Sequence, residues 1–236
     1  MTKYFMRGTA LAGLEMAMML PPLFTNRQSG VIVLSGLPYT KDSTNCHKCV
    51  EWRSKMKCGA QCCPWLAERL EAGTVTYEKL LKECFYGVED KCLHVRIKHL
   101  YTQFCGTLFK DRLHIQNFHF TKSNLQIQFE NTADCHIAAL FLLTADGKLW
   151  EVSKDAVTSN RICFGKIKLN GIDTEGYALF QMAKTLCTGQ IKVSMSELAD
   201  RTLISDSLFA VLANAILINR FGSDVFMLEN KGGIKL

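Results

Sequence analysis

Five cysteines fall within eighteen residues of this chain: Cys46, Cys49, Cys58, Cys62 and Cys63, spaced C-x2-C-x8-C-x3-C-C. Nothing else in the sequence restricts the fold as tightly, because four sulfurs on one metal ion would pin an irregular loop into a single geometry. Zinc takes four thiolate or imidazole ligands in a tetrahedron, and a C-x2-C turn presents two of them to one ion. Gly59 directly after Cys58 permits a tight backbone turn at the second group. The expectation is one structural Zn2+ held by Cys46, Cys49, Cys58 and either Cys62 or Cys63. The spacing departs from the usual zinc ribbon, whose pairs stand about 15–20 residues apart. An iron–sulfur cluster, suggested by Cys63-Pro64, a redox role for the C-x-x-C and unligated thiols are the alternatives.

Charge is distributed unevenly around this cluster. Residues 1–105 hold 14 Lys and Arg against 9 Asp and Glu, whereas residues 106–236 hold 14 against 13. Lys48, Arg53, Lys55 and Lys57 interleave with the cysteines, and Trp52 and Trp65 stand nearby. Cations and aromatics on a metal-held loop can follow a phosphate backbone while stacking on bases. Lys91, Arg96 and Lys98 would extend that surface if their helix lay alongside. The competing reading is a solvated loop with its tryptophans packed beneath it.

The chain is 48% hydrophobic and 21% charged, which supports a packed core and argues against disorder. Lys3 and Arg7 precede an apolar run, but Glu15 interrupts it, so an amphipathic helix over about residues 4–20 is expected rather than a signal peptide. No apolar run is read as a membrane span, and the expected setting is cytoplasmic. VIVLSG at 31–36 reads as a strand. Pro64 should open a helix at PWLAERLEAG, and TYEKLLKECFYG should form another. Residues 88–109 form an amphipathic helix with Leu93, Ile97, Leu100, Phe104 and Leu108 as its stripe. LHIQNFHF, TKSN and LQIQFE alternate in a way that predicts a β-hairpin over 113–129. CHIAALFLLTA is a buried helix, KIKL another strand, and residues 173–188 and 205–221 are helices stopped by Gly189 and Gly222. Ser194 and Glu197 match a capping box.

Chemistry beyond the cluster is sparse. No phosphate-binding glycine loop, metalloprotease or hydrolase motif occurs, and no catalytic residue is assigned. His94 and His99, like His114 and His119, stand five apart, which suits neither metal binding nor acid–base pairing. The other cysteines, Cys84, Cys92, Cys105, Cys135, Cys163 and Cys187, read as buried small hydrophobes. SELADR followed by ISDSLFAVL has a helix-turn-helix rhythm. Its second helix opens on Ser205, Asp206 and Ser207 where a DNA reader needs Arg, Lys, Asn or Gln, so a core helix is the better reading.

The segments CHKC, CGAQCCPWLAERLEAG, HIAALFLLTADGKLW, GYALFQMAKTLCTG and ELADRTLISDSLFAVLANAILINRFG resemble uncharacterised proteins of gut Firmicutes carried on phages and mobile elements. That resemblance implies a bacterial cytosolic accessory role, in handling nucleic acid or inhibiting a host defence, and transfers no catalytic residue. The resulting expectation is an α+β, helix-dominated protein. A zinc-stapled basic unit at 1–105 would precede a helical unit with a short hairpin at 106–236. It would bind nucleic acid or a bacterial or phage protein, with no membrane and no small-molecule substrate, and a cysteine-dependent enzyme is the third alternative.

Overall fold

The computed structural model describes residues 9–13, 40–41, 44–46, 52–53, 57–58, 63, 65–129 and 132–231. The chain divides into two compact units, Met1–Val75 and Thr76–Leu236, upstream of the 105/106 boundary expected from sequence. In the first unit, strands β1 (Trp52–Arg53) and β2 (Lys57–Cys58) pair antiparallel, with Trp52 opposite Cys58. This ladder is too short to form a layer. Helix α1 (Leu66–Glu71) follows, with Leu66 and Leu70 buried. The hydroxyls of Thr44 and Thr74 lie 2.8 Å apart. The helix expected over 4–20 falls largely outside the described residues, and the strand expected at 31–36 wholly so.

The second unit is helical: α2 (Tyr77–Cys84), α3 (Lys91–Thr102), α4 (Arg112–Asn124), α5 (Asp134–Leu143), α6 (Gly147–Ser153), α7 (Thr174–Thr188), α8 (Met195–Ala199) and α9 (Asp206–Phe221). Short 3-10 segments occupy 154–156, 164–166 and 222–231. The sequence starts most of these helices in one way. Thr76, Asp90, Asp111, Asp146, Asp173, Ser194 and Ser205 each accept a hydrogen bond from the backbone N–H three residues on. Such a bond satisfies one of the donors that every helix start leaves open. At Ser194 the box is complete, since Glu197 also accepts from the Ser194 N–H at 2.7 Å. Helix α5 is the exception, with Ala133 at its cap position and no side-chain bond there.

Helix α5 is the centre of the unit. Every residue from His136 to Leu143 is buried, and α7 and α9 pack directly against it. A helix apolar on all sides has to be enclosed by others, which sets the layered arrangement. The run Asp206–Glu229 is long and apolar enough to cross a membrane by composition, yet half of its apolar window is buried inside the unit. The core helix of a folded domain meets the same criterion. Gly222 ends α9 with φ 75°, and a Cβ there would stand 3.0 Å from Asp134 Oδ1.

The α+β expectation does not survive. Helix accounts for 63% of the described residues, and the hairpin expected over 113–129 is replaced by α4. Asp111 caps this helix at His114 N, 2.8 Å away. His114, Phe118 and Thr121 then recur at helical spacing on its buried side. The alternation in LHIQNFHF concealed that longer period. The second predicted strand, LQIQFE, is interrupted at once: Leu125 ends α4 and Gln126 takes φ 51°. KIKL likewise forms no strand, following a 3-10 turn instead.

Candidate functional site

Adjacent residues on α3 reverse the usual placement of charge and grease. Arg96 is 2% exposed, whereas Val95 is 61% exposed. The Arg96 guanidinium reaches the α8–α9 turn. Its Nη1 donates to Leu198 O at 2.7 Å and Asp200 O at 3.4 Å, and Nη2 to Ile204 O at 2.8 Å and Ser205 O at 2.9 Å. Asp206 Oδ1 stands 3.1 Å from Nη2, and the guanidinium carbon lies 4.4 Å from the Phe209 ring centroid. Asp200 O and Ser205 O also accept from the backbone N–H groups of Ile204 and Phe209, whereas Leu198 O and Ile204 O take their bonds from this one planar fork. Burial pulls the Arg96 pKa down and Asp206 opposes that pull. Arg96 is therefore an internal tie and is not available to phosphate, which corrects its assignment to a nucleic-acid surface. The same tie explains the helix-turn-helix rhythm: the turn is held inward and α9 is buried over most of its length.

Above Arg96 the surface opens into a groove of about 660 Å3 between α3 and the α8–turn segment. Cys92, Val95 and Ala199 line it, with Lys91, Arg201 and Thr202 among its polar residues. Two further apolar side chains are exposed on the same segment, Met195 on α8 and Leu203 in the turn, the latter at 60%. The carboxylates around the groove are already engaged. Asp90 Oδ1 accepts from Leu93 N at 2.9 Å. Asp200 Oδ1 accepts from the Thr202 hydroxyl at 2.7 Å and its N–H at 2.8 Å, bonds that hold its pKa below the usual carboxylate range. Asp206 pairs with Arg96 and, at 3.5 Å, with Arg201 Nε. Lys91 and Lys98 are exposed and make no hydrogen bond or ion pair among the described residues.

A smaller cavity of about 290 Å3 lies between α3, the 105–110 loop and α9. Its polar groups bond to one another: Tyr77 Oη donates to Asn214 Oδ1 at 2.6 Å, and Asn214 Nδ2 donates to Leu108 O at 2.7 Å. Phe104 stacks on Tyr77 with centroids 3.9 Å apart. Burial raises the Tyr77 pKa, which keeps the phenol neutral. This chain of bonds fastens α2, the loop and α9 together. Asn214, the one polar residue in the run 208–218, was its signal in the sequence.

The histidines divide the same way. His114 is buried, donates from Nε2 to Phe141 O at 2.7 Å and accepts at Nδ1 from Lys110 N at 3.1 Å. Burial pushes its pKa down to about 4, so it is neutral. His119 on the same helix is exposed. None of the six cysteines read as buried is fully so: Cys92 and Cys105 are exposed, and Cys84, Cys135, Cys163 and Cys187 are half-buried. Burial still pushes the thiols of Cys84 and Cys187 up to about 12, which holds them protonated. Among the described residues no three His, Cys, Asp or Glu side chains gather as a metal site.

Of the zinc ligands expected from sequence, Cys46 and Cys63 are free thiols, and Arg69 Nη1 donates to Cys63 Sγ at 3.5 Å. Cys58 is placed only as part of β2, and Cys49 and Cys62 lie outside the described residues. Arg53 and Lys57 are likewise placed only as strand backbone, and Lys48 and Lys55 lie outside the described residues. No protein-family model, curated protein or solved structure matches this chain.

Proposed function

We propose that this protein acts by binding, and that its second unit docks a segment of a partner protein in the groove between α3 and α8. The observation that carries the reading is Val95. A β-branched apolar residue stands exposed beside an apolar groove, while its neighbour Arg96 is buried to brace the opposite wall. Apolar grooves between helices accept amphipathic segments from partners, with a few anchoring side chains supplying most of the affinity. The buried Tyr77, Asn214 and His114 side chains and the Arg96 fork are bonded within the second unit, where they fasten its elements together.

The test is a random peptide library displayed on phage and panned against the full chain. Peptides retained by the wild type and by Phe120→Arg should be lost from Val95→Arg. Phe120 lies on α4, away from the groove, and both substitutions are at exposed positions, where stability should change by less than about 0.5 kcal/mol. Recovery of the same peptides from Val95→Arg would remove the groove from the reading.

A zinc ion on Cys46, Cys49, Cys58 and Cys62 or Cys63 belongs to the same proposal, as the staple of the first unit. The free thiols of Cys46 and Cys63 favour it, as does the Arg69 contact, because metal-bound sulfurs are commonly oriented by outer hydrogen bonds. Elemental analysis of protein purified without added metal should find about one zinc per chain, the capacity of four sulfurs. The Cys49→Ser variant should lose it. No metal in the wild type would end this part of the proposal. Nucleic-acid binding through Lys48, Arg53, Lys55 and Lys57 would then need support of its own, namely a steep fall in affinity with salt.

A further inference from the structure

We infer that the groove on the second unit selects an acidic amphipathic segment, one that sets apolar side chains among carboxylates; this rests on the docking reading above. The inference comes from which charges are left unspent. Seven charged side chains line the α3–α8 groove or stand next to it, three carboxylates and four cations. All three carboxylates are consumed internally: Asp90 caps α3, Asp200 binds Thr202, and Asp206 pairs with Arg96 and Arg201. Of the four cations, Arg96 is buried on its carbonyls and on Asp206; Lys91 and Lys98 are exposed without a partner among the described residues, and Arg201 is half-exposed with only Nε engaged. Lys91, Val95 and Lys98 follow one another at helical spacing on α3, so they share a face. The apolar strip is thus bordered by positive charge that the neighbouring carboxylates do not take up.

A partner segment sees that remainder. Its apolar side chains would cover Val95, Cys92 and Leu203, and its carboxylates would meet the lysines across the rim. Complementary rim charge contributes mainly to selectivity and to encounter rate, and it is screened over about 10 Å at 0.1 M salt. A neutral segment of the same shape would still bind, more weakly. A basic one would be repelled.

The test uses the Val95-dependent peptides from the library. They should be enriched in Asp and Glu around their apolar anchors. One is then synthesised in three forms, native, with Gln and Asn for its acids, and with Lys in their place, and titrated against the full chain by fluorescence anisotropy. The amide form should bind about 10-fold more weakly than the acidic form at 50 mM salt, the effect expected of a few exposed ion pairs. The gap should close near 500 mM. On the double variant Lys91→Glu, Lys98→Glu the preference should reverse, with the lysine form now binding better; that reversal also shows the variant is folded. Equal binding of the acidic and amide forms, or a Val95-dependent pool without acidic enrichment, would overturn the charge inference and leave docking intact. An empty Val95-dependent pool would overturn both. Tight binding of a labelled single-stranded DNA that displaces the peptide and needs Lys91 and Lys98 would reassign these cations to phosphate.

Discussion

Helices α3 and α5 are twelve and ten residues long, yet the structure uses them in opposite ways. Helix α5 is apolar in every direction and is enclosed by its neighbours, without a side-chain cap at its start. Helix α3 is capped by Asp90, buries Leu93, Arg96 and Ile97, and turns Lys91, Val95 and Lys98 outward. In α5 composition alone decides burial, because no face is polar enough to meet water. In α3 the position on the helix decides it, to the point that an arginine goes inside and a valine stays out. Apolar surface accordingly makes the core in one helix and the wall of an open groove in the other.

The sharpest way to break that comparison is to replace one buried residue in each helix by methionine. Leu140→Met in α5 keeps apolar volume and should cost less than about 1.5 kcal/mol. Arg96→Met also approximates the volume it replaces. It nevertheless leaves the carbonyls of Leu198 and Ile204 without their donor, so a loss of about 2–5 kcal/mol is expected. Urea midpoints of the two variants measure the difference. Similar midpoints would mean that Arg96 contributes packing alone.

A smaller effect comes from pH. His114 links α4 to α5 through Phe141 O, and its Nδ1 lone pair faces the Lys110 N–H, so the folded state resists protonating it. With the folded pKa at about 4 and the unfolded value at 6.5, the unfolded chain binds the proton first. Stability is therefore full above about pH 6.5 and falls as pH drops toward 4, by up to about 3 kcal/mol from this group. His136, whose pKa burial also lowers, adds to the fall in the same sense. Urea unfolding of the wild type and His114→Gln from pH 7 to 4.5 isolates the His114 share. The variant should be less stable at pH 7 but should lose less on acidification, and parallel curves would sink the assignment.

Much of the framework was legible in local sequence. The capping box at Ser194, the glycine stops at 189 and 222 and the apolar run at 134–143 all act within a few residues of themselves, whereas Asp134, read as a cap, lies inside its helix. The hairpin expected over 113–129 failed because residues spaced by two and by roughly four overlapped there. Only packing against Phe141 and its aromatic neighbours shows which spacing matters. Cysteine burial was misjudged for a related reason, since a small apolar residue type does not specify which side of a helix meets the core. Of the candidate site, Lys98 was noticed for its charge and Arg96 for the wrong surface, while Val95, off the apolar stripe, passed unremarked.

The sequence by itself determined where helices begin and end and which one must be enclosed, because capping and apolarity are short-range properties. Tertiary structure alone decided that the Arg96 fork would meet carbonyls more than a hundred residues away, that three carboxylates would be spent on internal partners, and that two lysines would not. Those outcomes depend on which surfaces are brought together in space, and charge counted along a chain says nothing of which charges find each other.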